Sequence, residues 1–66
     1  REATEAVRAI ALRMAENGEH MQRARQEGNL TRVRELQENQ RRLIEERSEI
    51  LRRAAEDREM GLADNA

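Results

Sequence analysis

Apolar residues recur in this chain at alternating spacings of three and four, in two stretches that meet at Gly28 and Asn29. Ala3, Val7, Ile10, Met14, Asn17, Met21 and Ala24 make the first stretch. Val33, Leu36, Gln40, Leu43, Arg47, Ile50 and Ala54 make the second. Such spacing lines residues up along one face of an α-helix. Folding the chain back at the break pairs positions whose numbers sum to 57: Ala24 with Val33, Met21 with Leu36, Asn17 with Gln40, Met14 with Leu43, Ile10 with Arg47, Val7 with Ile50, and Ala3 with Ala54. Each layer then sets an a-type position against a d-type one, as antiparallel helices interleave. The predicted fold is all-α, an antiparallel, coiled-coil-like two-helix hairpin.

The pattern predicts helices over 2–27 and 30–60, a turn at 28–29, and a single hairpin unit spanning 1–61. Thr4 is a candidate N-cap for the first helix, and Asn29 or Thr31 for the second. Gly28 suits the left-handed position that ends a helix, and Leu30 beside it can pack against the end of the first helix. Gly61 followed by Leu62 predicts the second helix stop with its hydrophobic contact, leaving 62–66 as a flexible tail. The dipeptide Asn17-Gly18 is a competing turn signal. The apolar stripe nevertheless passes through it in phase (Ile10, Met14, Asn17, Met21), which predicts an unbroken first helix.

Composition makes this hairpin an incomplete fold. Sixty-six residues with no aromatic side chain and no cysteine can neither build a large core nor be stapled by disulfides. The missing burial is expected from a partner: a second copy forming a four-helix bundle, or another protein on which the hairpin docks. The 13 basic residues, all arginine, are balanced by 14 acidic ones and interleaved with them. No electrostatic footprint for nucleic acid stands out from such a pattern. No apolar run approaches the ~18 residues of a membrane span. The first residue is arginine and no signal-peptide pattern follows, so the expectation is a cytoplasmic chain, processed from or belonging to something longer.

Candidate chemistry is sparse. Asn17 opposite Gln40 reads as a register layer, because a buried amide pair penalises any slip that strands either amide. Arg47 opposite Ile10 can cover the isoleucine with its stem while its guanidinium stays in water. His20 lies one turn after Glu16, which is half a metal site, but the Glu-x-x-His spacing of di-iron bundles is missing, since Asn17 stands three before it. Thr4, Thr31 and Ser48 are the only hydroxyls, and the hairpin separates all of them from His20. No catalytic residue, metal site, cofactor or small-molecule substrate is expected, and the chain reads as non-enzymatic.

The segment Ala24-Arg25-Gln26-Glu27-Gly28-Asn29-Leu30 resembles, over seven residues, the coiled-coil tip of the transcript-cleavage factors that enter the RNA polymerase secondary channel. The resemblance would imply an acidic pair for magnesium, directly after the glycine and three positions later. Asn29 and Arg32 occupy those places here, so metal-assisted cleavage does not carry over and membership of that family is not claimed.

A second apolar set is the best lead to function. Ala11, Leu12 and Ala15 lie outside the seam of the first helix, and Leu30, Ile44, Leu51 and Ala55 flank the seam of the second. Leu12, Ala15, Leu30, Ile44, Leu51 and Ala55 are the predicted partner interface, of the kind a helix bundle or a helix-in-groove contact uses. The leading expectation is an oligomerisation or protein–protein interaction module of a larger assembly. One alternative is a small regulator or chaperone stable only with a heterologous partner. The other is an arginine-rich nucleic-acid-binding hairpin using Arg23, Arg25, Arg32, Arg34, Arg41 and Arg42, against which Glu27, Glu35 and Glu38 count.

Overall fold

The computed structural model describes the backbone of residues 2–65 and the side chains of residues 3–58. Two helices, α1 (Glu2–Gln26) and α2 (Leu30–Asn65), pack against each other as an all-α hairpin with extents of 58 × 16 × 9 Å. Among the described residues there is no strand.

The turn is built by three residues. Gly28 adopts a left-handed backbone with φ of 70°. Its N–H donates to the Arg25 carbonyl and the Asn29 N–H to the Ala24 carbonyl, the paired bonds of a Schellman ending. Asn29 then starts the next helix, for its side-chain Oδ1 accepts from the Arg32 N–H at 3.1 Å. One residue thus closes α1 with its backbone and caps α2 with its side chain. Leu30 is 69 % exposed, so the expected packing against the end of α1 is not made. With the chain reversing in so few residues, position 30 starts α2 on a flank of the seam.

Two other boundaries differ from the sequence reading. Because α1 already begins at Glu2, Thr4 is an exposed residue inside its first turn, not its N-cap. Similarly, α2 runs on through Gly61 to Asn65. Glycine only weakens a helix by about 1 kcal/mol, and ending one also requires the left-handed turn that Gly28 makes and a helical Gly61 does not. The contact expected of Leu62 and the last residue of the expected tail lie outside the described residues.

Gly18 is helical and α1 passes through it unbroken. A Cβ added at Gly18 or at Gly28 would meet nothing within 4 Å, so backbone conformation alone decides the effect of substitution at either. Gly28→Ala is expected to cost about 1–2 kcal/mol, the penalty of a left-handed L-residue. Gly18→Ala is expected to gain up to about 1 kcal/mol. Thermal melts followed by circular dichroism measure both, and a melting temperature lowered alike by the two substitutions would contradict the assignment of the turn.

The core follows the predicted seam. Ile10, Ala24, Val33, Leu36 and Leu43 are buried, together with Asn17. Ala3, Val7, Met14, Met21, Gln40, Ile50 and Ala54 are half-buried. Of the fourteen seam positions only Arg47 is exposed, yet Ile10, level with it, is 2 % exposed. Burial is also graded along the hairpin. Ala24, Val33 and Leu36 form a cluster with Met21 next to the turn, whereas beyond Ile10 and Leu43 no described seam residue is fully buried. The open end is therefore the underpacked half.

Candidate functional site

Asn17 is the one buried polar side chain among the described residues and belongs to the third of the seven seam layers from the turn. Its Nδ2 donates to the Gln40 Oε1 at 2.9 Å and to the Leu36 carbonyl at 2.8 Å. Its Oδ1 accepts from the Asn39 Nδ2 at 3.3 Å. The Asn17–Gln40 pair predicted from the register is thus in hydrogen-bond contact, and every buried side-chain nitrogen or oxygen described has a partner. Asn39 was not legible as a member of this layer, because it stands one residue before a seam position and reaches the amide from the flank. The signal that could have found it is its adjacency to Gln40.

Positions one residue before the seam, in both helices, line one side of the hairpin. Arg13, Glu16 and His20 from α1, with Arg32 and Asn39 from α2, enclose an open groove of about 370 Å³ floored by Asn17, Leu36 and Leu43. His20 and Glu16 are exposed there, and among the described residues no three His, Cys, Asp or Glu side chains are placed to hold a metal ion.

Positions one residue after the seam must then share the opposite side, since a helix turns by about 100° per residue and the two helices face each other. On α2 these are Arg34, Gln37 and Arg41 towards the turn and Ile44, Ser48, Leu51 and Ala55 beyond them; on α1 they are Gln22 and Arg25 towards the turn and Thr4, Arg8, Ala11, Ala15 and Gly18. Ile44 is 48 % and Leu51 42 % exposed, and Ala11, Ala15 and Ala55 are exposed as well. Four of the six predicted interface residues, Ala15, Ile44, Leu51 and Ala55, therefore belong to one face that runs from the central layer of the seam to the open end. The other two do not join them. Leu12, 66 % exposed, is two residues from both Ile10 and Met14 and so points away from the seam. Leu30 is at the tip, about 21 Å along α2 from Ile44 at 1.5 Å per residue.

Charge is arranged on the outside of α2. Arg32 pairs with Glu35, Arg41 with Glu38 and Glu45, Arg42 with Glu38, Arg52 with Glu49 and Glu56, and Arg53 with Glu49. The hydrogen bond from Arg41 holds the Glu38 carboxyl below its usual range, and that from Arg52 does the same for Glu49. These pairs are exposed and stabilise little. Their consequence is electrostatic: Arg32, Arg41 and Arg42, half of the arginines a nucleic-acid-binding tip would use, are already neutralised by neighbours. Arg47 makes no ion pair among the described residues.

No described helix is long and apolar enough to cross a membrane. Compared with family models, with curated proteins and with solved structures, the chain finds no match.

Proposed function

We propose that this chain is a non-enzymatic helical-hairpin association module, whose open-end face joins it to another protein surface. The observation that carries the reading is the exposed stripe Ile44, Leu51 and Ala55, together with Ala11 and Ala15, left over after the hairpin seam has been filled. The surface area agrees with it. A compact monomer of this mass exposes about 4,300 Å², whereas the chain exposes 5665 Å². Part of the excess belongs to the elongated shape, in which α2 runs past the start of α1, and part to the exposed face beside the seam. The half-buried seam at the open end points the same way, because a partner there would complete burial that the hairpin alone leaves unfinished.

Sedimentation equilibrium combined with circular dichroism over a range of concentrations tests this. The expected result is either a species heavier than the single chain or a largely unfolded monomer. A monomer that stays helical and melts cooperatively at micromolar concentration would overturn the proposal, for the hairpin would then suffice unaided.

A further inference from the structure

We infer that the open-end face is occupied by a second copy of this chain, its tip at the same end, with α2 of each hairpin lying along α1 of the other. The inference rests on the association reading above and adds the partner and its geometry. Its ground is that the face complements itself. On α2 the positions after the seam include the large Ile44 and Leu51, with Ser48 between them; on α1 Ala11, Ala15 and Gly18 are small and Thr4 and Arg8 follow towards the open end. The hydrogen-bonded Asn17–Gln40 layer fixes the levels: Ile44 is level with residue 13, midway between Ala11 and Ala15, and Leu51 with residue 6, between Thr4 and Arg8.

A two-fold axis along the hairpin places α2 of one copy over α1 of the other, antiparallel and at equal levels. Ile44 then enters the gap between Ala11 and Ala15 of the second copy, and the symmetry repeats the contact in reverse, as an isologous dimer requires. All neighbouring helices in the resulting four-helix bundle run antiparallel. Charge follows the same fit. At the outer edge of this contact Glu45, level with residue 12, stands about 6 Å along the axis from Arg8 of the second copy, and Arg41, level with residue 16, about 4.5 Å from its Glu19, at 1.5 Å per residue. Arg41 and Glu45 pair with each other within one chain. Neither Arg8 nor Glu19 forms an ion pair within the described chain. A foreign partner would need the exposed large residues on α2 but would give no reason for Ala11 and Ala15 to stand at the level of Ile44 on α1.

Cysteine crosslinking of the full chain decides it. The double variant Ala15→Cys with Ile44→Cys, oxidised at micromolar concentration, is expected to give a covalent dimer linked between positions 15 and 44 of different copies. Ser48→Cys alone is expected to stay uncrosslinked. A second variant, Ala15→Arg, leaves the hairpin seam untouched and is expected to weaken self-association by about tenfold or more, as a charge would be buried in the contact without a partner. Efficient crosslinking through Ser48→Cys alone would set α2 against α2 and overturn the arrangement. An unfolded, monomeric parent chain would overturn the second copy as occupant while leaving the association reading standing. A folded monomer would overturn both.

Discussion

Truncating Leu36 to alanine is expected to cost about 2–5 kcal/mol and to abolish the cooperative melt of the purified chain. Leu36 is 4 % exposed and packs in the cluster of Ala24, Val33 and Met21 beside the turn, the best-buried part of the hairpin. Its carbonyl also accepts the Asn17 amide, so a cavity at this layer loosens the polar layer next to it. A core of five buried apolar residues, two of them Ala24 and Val33, has no second layer to absorb the loss. Chains of this size seldom hold more than about 3–5 kcal/mol in total. Leu12→Ala removes the same atoms from an outward-facing side chain and is expected to change the stability of the hairpin by less than about 0.5 kcal/mol. Melting temperatures lowered equally by the two substitutions would show that the seam is not where the structure puts it.

The hairpin, its register and its turn were legible because each is written in periodicity or in a residue with one strong backbone preference. The spacing of Ile10, Met14, Asn17 and Met21 carried α1 across Gly18 against a turn signal, since a helix tolerates one glycine more cheaply than it tolerates a stripe out of phase. Helix ends were less legible. Thr4 and Gly61 have the right chemistry for an end, but an end also depends on where the partner helix gives burial and on whether the backbone turns left-handed. The candidate interface was legible only as a list of apolar residues off the seam. That its α1 and α2 members share one side needed the relative rotation of the helices, which the groove of Arg13, Glu16, His20, Arg32 and Asn39 on the other side supplies. Leu12 is set apart by its spacing from the seam and Leu30 by its distance along α2. Leu12 and Leu30 are as apolar as Ile44, so hydrophobicity alone could not separate them.

Replacing Asn17 alone by leucine is expected to destabilise the hairpin by about 1–3 kcal/mol, whereas replacing Asn17 and Gln40 together by leucine is expected to raise the melting temperature. The single change strands the half-buried Gln40 amide against an apolar side chain and removes the donor to Leu36. The Leu36 carbonyl keeps its helical bond, and exposed Asn39 can turn to water, so most of the loss belongs to Gln40. In the double variant no amide is left to strand, and apolar packing replaces a hydrogen bond whose net worth is only about 1 kcal/mol. Each kcal/mol shifts the melting temperature of a domain this small by roughly 4–8 °C, so the two variants should fall on opposite sides of the parent. The double variant is also expected to lose a single assembly state, because slipped or parallel pairings no longer strand a buried amide. Thermal melts and sedimentation of the parent, both single variants and the double variant measure these effects. A double variant less stable than either single one, yet still of one sharp oligomeric state, would rule out the register role. The amides of Asn17 and Asn39 would then be meeting a partner through the groove they line, and the polar side of the hairpin rather than the apolar one would be its working face.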